Sequence, residues 1–209
     1  MEGGPAVTEH RPIITDPAHL AELAGTAYLC VRLTGEVADA YERIQRPLRA
    51  IVGEDSASWP AVHMSLGGFG SAERPLAEPM ERAIASVVEA AVREISPLHL
   101  GVDRVDAFSE ARIHIVRIRR TAELSTILGR VRRRVTAVGL PAQEHIAVED
   151  WVFHLSLVYY RGERWSEIEV AARRIPADSS TCVVHQVELL GFDGGPERLL
   201  GRYALFGRW

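Results

Sequence analysis

The sequence predicts an α+β fold made of two similar lobes, each a small, mainly antiparallel sheet backed by helices. Three observations predict it. A strand, helix, strand, helix, strand order runs through the first half of the chain and starts again near Ala111. One tetrapeptide pattern occurs once in each half, as His63-Met64-Ser65-Leu66 and His154-Leu155-Ser156-Leu157, with the histidines 91 residues apart. Apolar stripes at helical spacing alternate with short runs at strand spacing throughout. Together these describe an internal duplication by pattern more than by identity, and hence a pseudo-twofold, bilobal domain.

The elements follow in order. Residues 1–26 begin polar, and Pro5, Pro12 and Pro17 interrupt any long element, so they read as a flexible arm with one short helix capped by Asp16. The ordered domain spans 27–209, with one lobe at about 27–109 and the other at about 110–209. Ala27 to Thr34 reads as a strand, and Val37, Tyr41, Ile44, Leu48 and Ile51 recur at helical spacing. A polar loop leads to the first His-x-Ser strand, which Gly67, Gly68 and Gly70 let turn. Met80, Ile84, Val87, Val88, Ala91 and Ile95 form one stripe of a helix over about 77–95. Pro97 closes it before a strand over 98–108. In the second half the series repeats: a strand over 111–118, a helix over 122–138, and the second His-x-Ser strand from near Trp151. A shorter helix over 163–174, a strand over 180–191 and a last strand from Leu199 to Phe206 complete it.

Composition excludes several classes. With 47% hydrophobic and 25% charged residues the 209-residue chain has the balance of a globular protein with a proper core. A net charge of -4 argues against a surface that coats nucleic acid, though not against a local anion pocket. Cys30 and Cys182 lack metal or disulfide spacing and read as buried thiols of a reducing compartment. No apolar run approaches a membrane span and no signal peptide opens the chain, so the expectation is a cytoplasmic protein.

The chemistry lies in the paired tetrapeptides. A strand sends alternate side chains to opposite faces, so His63 and Ser65 share one face and Val62, Met64 and Leu66 the other. The same holds for His154 and Ser156 against Phe153, Leu155 and Leu157. If the apolar faces pack on helices, the polar faces meet where the lobes meet. Two imidazoles on opposite sides of a phosphorus centre can divide proton transfer, one taking a proton from the attacking water and the other giving one to the departing oxygen. The serine hydroxyls would hold the non-bridging oxygens. Such a site needs neither metal nor cofactor, and it suits opening of a 2',3'-cyclic phosphate.

On these residues, over about 27–209, the chain resembles the two-histidine phosphoesterases, in particular the LigT-like RNA cyclic phosphodiesterases of the 2'-5' RNA ligase family. Each tetrapeptide carries serine where that family usually has threonine, which keeps the hydroxyl. The resemblance implies a bilobal fold with the histidines facing across a cleft, and metal-free hydrolysis of 2',3'-cyclic nucleotides to 2'-phosphates. It implies His63 and His154 as the acid/base pair and Ser65 and Ser156 as phosphate-holding hydroxyls. The expected partner is a nucleotide or an RNA end bearing a cyclic phosphate, with no membrane and no obligate protein partner. Two other functions stay open: 2'-5' RNA ligation, and nucleotide or RNA binding without turnover.

Other residues carry less. Phe69 and Tyr160 follow the two motif strands and are candidates to stack on a base; Tyr160 lies an even number of steps from His154 and Ser156, whereas Tyr159 does not. Histidines 10, 19, 99, 114 and 185 have no metal-ligand spacing and read as structural or solvated. The run Arg130, Arg132, Arg133, Arg134 reads as the solvated face of its helix.

Overall fold

The computed structural model describes residues 11–52, 57–71, 73–140, 146–176 and 179–207. The elements are α1 (Pro17–Glu22), β1 (Thr26–Arg32), α2 (Gly35–Val52), β2 (Ala57–Ser58), β3 (His63–Phe69), α3 (Glu78–Val92) and β4 (Leu98–Phe108). They continue as β5 (Ile113–Ile118), α4 (Ala122–Ala137), β6 (His154–Tyr160), α5 (Trp165–Arg173), β7 (Thr181–Val184), β8 (Gln186–Phe192) and β9 (Arg198–Ala204). The helices form where the apolar period demands. In α4, Leu124, Ile127, Leu128, Val131 and Val135 are buried on one stripe, and the Thr121 hydroxyl caps the first turn by accepting from Leu124 N at 3.2 Å. In α3 the stripe is Ile84, Val88, Ala91 and Val92. No helix among the described residues is long and apolar enough to cross a membrane.

The nine strands of the described residues join one antiparallel sheet, ordered β7-β4-β5-β6-β3-β1-β8-β9, with β2 pairing β6 to the side. The expected small sheets are therefore halves of a continuous one, joined at β3 and β6. The order is matched about that junction, with β1 and then β8 on one side and β5 and then β4 on the other.

The division of the chain at residue 109 does not follow the sheet. β4, from the first half, pairs with β5 and β7, while β8 and β9, from the end of the chain, extend the sheet beyond β1. The helices cross over too. α3 and α4 pack on each other and over β9 and β3, whereas α2 and α5 pack together over β6, β7 and β4. Each half of the chain thus contributes to both lobes. The stretch expected as one strand over 180–191 makes the last crossing: it breaks at His185, and β7 pairs in one lobe while β8 pairs in the other.

The arm is also more structured than its polarity suggests. From residue 11 onward it lies against the sheet. Ile13, Ile14 and Leu20 are buried with Cys30, Leu190 and Phe192 in a small second core, and α1 is capped by Asp16 as expected, through His19 N at 2.7 Å.

Candidate functional site

Strands β1, β3, β5 and β6 place the two motifs. β3 and β6 meet antiparallel at Met64 opposite Leu155. In that register His63 stands opposite Ser156 and Ser65 opposite His154, so each imidazole is set beside the other strand's hydroxyl. Met64, Leu66, Leu155 and Leu157 are fully buried in the core beneath, which holds the polar faces outward as the alternation predicts.

The two histidines are held alike. His63 Nδ1 lies 2.8 Å from Ala61 O, and His154 Nδ1 lies 2.8 Å from Val152 O. A carbonyl can only accept, so in both rings Nδ1 carries the hydrogen and Nε2 keeps the lone pair. Each imidazole also has an arginine directly opposite on the next strand, Arg32 for His63 and Arg117 for His154. Arg32 is tied to Glu188 at 2.6 Å and Glu197 at 3.3 Å, and Arg117 bonds Asp106. Motif spacing does not single out these arginines; their signal is an arginine near the end of a mostly apolar strand.

Burial pushes the His63 imidazole down to about 4, an effect opposed by its bond to Ala61 O and reinforced by the nearby His154, Arg32 and His19. His154 is lowered as well, again chiefly by burial, with its bond to Val152 O opposing and Arg117 reinforcing. Both rings are neutral at pH 7, with Nε2 as the available base.

The aromatic candidates are corrected by one local feature that occurs in both strands. Along β1 the partners run Leu29↔Gly67 and then Cys30↔Ser65, so Leu66 is an extra residue in β3. Along β5 they run His114↔Val158 and then Ile115↔Ser156, so Leu157 is the extra residue in β6. A bulge of this kind reverses the alternation beyond it. Phe69 and Tyr160 therefore turn into the core, at 1% and 4% exposure. The face shared with His154 and Ser156 passes to Tyr159, whose hydroxyl donates to Ser156 Oγ at 3.1 Å. The carbonyl of bulge residue Leu157 accepts from Gln45 Nε2 of α2 at 2.9 Å, which braces β6 beside Ser156.

Because Tyr159 donates to Ser156 Oγ, the serine's own hydrogen is left for a different acceptor. Tyr159 thus fixes the Ser156 hydroxyl. Replacing it with Phe should lower kcat/KM about three- to tenfold, the worth of one hydrogen bond, with the thermal midpoint changed by no more than a few degrees. A melting curve beside a rate measurement separates the two effects.

A cavity of about 310 Å³ opens at His63 and Ser65, and Tyr159 forms part of its wall. His154 lies outside that wall, with Phe108 edge-on to its ring at a centroid separation of 4.9 Å. His19, expected to be structural or solvated, is buried at the cavity: its Nδ1 is 3.0 Å from Ser58 Oγ and its ring sits 4.1 Å from that of Tyr159. Cys30 stands opposite Ser65 on β1, and burial pushes its thiol up to about 12, so it stays protonated.

A curled antiparallel sheet bearing two like-held histidines, each paired in register with a serine, defines a protein of the two-histidine phosphoesterase class. The chain belongs to the 2'-5' RNA ligase superfamily, whose family model matches residues 28–196. Solved structures share the fold at low identity. TT0787 of Thermus thermophilus superposes with a TM-score of 0.67 at 15% identity, over 88% of this chain and 100% of its own. A structure described as a phosphoesterase gives 0.62 at 18% identity, over 86% and 97% of the two chains. E. coli LigT complexed with 3'-AMP gives 0.59 at 19%, over 86% and 97%. A sequence search of curated proteins finds no match.

Proposed function

We propose that this protein is a metal-independent cyclic phosphodiesterase that opens a 2',3'-cyclic phosphate of a nucleotide or RNA end to the 2'-phosphate. The observation that carries this reading is the matched presentation of the imidazoles, each with Nδ1–H held by a backbone carbonyl two residues earlier and Nε2 left as the reactive atom. The superfamily supports phosphoester chemistry, and the complex of LigT with 3'-AMP makes a nucleotide a natural ligand class.

His63, the more deeply buried, acts as the base: its Nε2 takes a proton from water as the oxygen attacks phosphorus. The P–O3' bond breaks, and His154 gives its proton to O3', leaving a free 3'-hydroxyl and a 2'-phosphate. His154 keeps more contact with solvent and gains its proton when the substrate's anionic phosphate enters beside it. Ser65 and Ser156 donate to the non-bridging oxygens, whose charge grows in the transition state. The purified protein, incubated in EDTA with a 2',3'-cyclic mononucleotide and followed by phosphorus NMR, should produce the 2'-phosphate. A strict requirement for added metal, or a 3'-phosphate product, would overturn the reading.

A further inference from the structure

The cavity beside His63 owes one wall to a segment outside the span matched to the family, residues 11–24. That segment is fastened at both lobes. Glu197 accepts from Ile13 N at 2.8 Å and Ile14 N at 3.3 Å, and Ala61 N donates to Ile13 O at 2.8 Å, from the same residue whose carbonyl anchors His63. On the other side Arg161 bonds Asp16 at 3.1 Å and Glu22 at 3.3 Å. The strap therefore crosses the open side of the sheet and turns the ground next to the phosphate site into a pocket.

The pocket has the character of a site for one flat organic group. Its volume of about 310 Å³ sits at the low end of the ~300–1,000 Å³ usual for small-ligand sites. Ile13, Ile14, Leu23 and Leu190 supply apolar wall. Two aromatic pairs flank it: Tyr28 with Phe192, edge-on at 6.0 Å, and Tyr159 with His19. Stacking against such rings suits a nucleobase. A nucleic-acid chain needs a cationic track along its backbone. Among the described residues lining this pocket there is no arginine, and the charged residue on its wall is Glu22. Arg32, opposite His63, and Arg161, which fastens the strap, are bound to carboxylates, and Arg112 bonds the Gly162 carbonyl.

We infer that the strap makes this enzyme specific for a mononucleoside-sized cyclic phosphate, with the base seated between strap and sheet, and excludes an oligonucleotide end. The inference rests on the cyclic phosphodiesterase reading and narrows its substrate. It is tested by comparing a 2',3'-cyclic mononucleotide with a ten-residue RNA ending in the same cyclic nucleotide, and by calorimetric binding of the corresponding 2'-phosphates. The wild-type kcat/KM should favour the mononucleotide by at least about tenfold. Ala111→Trp, a substitution at an exposed residue on the pocket wall, should raise KM for the mononucleotide about tenfold and leave kcat within about twofold. Arg161→Ala should loosen the strap and narrow the preference by improving the oligonucleotide. An oligonucleotide turned over or bound as well as the mononucleotide by the wild-type protein, or an unchanged KM in Ala111→Trp, would overturn the inference. Tight binding of the mononucleotide product without hydrolysis of either substrate would uphold the pocket and sink the activity instead.

Discussion

Substituting either His63 or His154 with alanine should lower kcat by about 10²–10⁴-fold, the range for loss of a general acid or base, with the folded state retained. The effect is expected to be large because the proposed mechanism gives each Nε2 a separate proton to move, and among the described residues no other histidine is held in the same way at the β3–β6 junction. Folding should survive because the rings stand on the polar face of the sheet and the core beneath is built by Met64, Leu66, Leu155 and Leu157. The double variant should be far less than multiplicatively worse, since the two groups act in one step. The substitutions should also split by pH. If His63 is the base, its loss removes the acid limb of the kcat/KM profile, and loss of His154 removes the alkaline limb. Circular dichroism and full pH profiles of the three variants check all of this.

The second large effect is on stability. The His63 and His114 imidazoles are each pushed to about 4 in the folded protein, first by burial, against about 6.5 in an unfolded chain. Between those values the unfolded state binds more protons than the folded state, so stability rises with pH across the window and is lost as pH falls from about 6.5 to about 4. His63 should cost on the order of 3 kcal/mol by the bottom of that window and His114, with more screening, a smaller amount, and neither anything above pH 7. His114 isolates the effect from catalysis. It is 1% exposed, stacks on Trp165 at 4.3 Å, and neither ring nitrogen has a hydrogen-bond partner among the described residues. His114→Phe keeps the stacking ring and removes the titrating group. Urea unfolding at pH 7 and pH 4.5 should show the variant losing markedly less stability on acidification, with its turnover at pH 7.5 unchanged. Equal acid sensitivity in the two proteins would contradict the assignment.

What can be read from the chain is whatever depends on local period. The stripes of α3 and α4 place both helices, and alternation around His63 and His154 places each imidazole with its serine on the outward face. Three things escape for stated reasons. The bulges at Leu66 and Leu157 add one residue each, and a one-residue insertion leaves no compositional mark while reversing every side chain beyond it; the parity that assigns Tyr160 to the site holds only as far as the fourth residue of the motif, and the same reversal buries Phe69. The lobes exchange β4, β8 and β9 because strand pairing is a long-range choice, and only the break at His185 shows the chain changing sides. The strap is held by backbone bonds to Glu197, separated from Ile13 by 184 residues. It carries a signal nonetheless: the apolar pair Ile13-Ile14 ahead of a capped turn with Leu20 and Leu23 is too greasy for a solvated arm.

Residues 53–56, 72 and 141–145, in loops flanking the motif strands, fall outside the described residues. Within the described ones, Ala57 and Ser58 pair with Tyr160 and Tyr159 of β6, and Ser58 reaches His19. That loop therefore touches the pocket through its second half.

In the proposed mechanism one phosphate sits between the Nε2 atoms of His63 and His154. Nitrogen-15 NMR of histidine-labelled protein, titrated with a nucleoside 2'-monophosphate at pH 7, tests it most directly. Before addition, both rings should show the Nδ1–H tautomer. On binding, the Nε2 signals of His63 and His154 should move together, toward protonation and with one dissociation constant, while those of His99 and His114 stay in place. Movement of one of the two alone, or of neither while the nucleotide binds, would contradict the paired-histidine site.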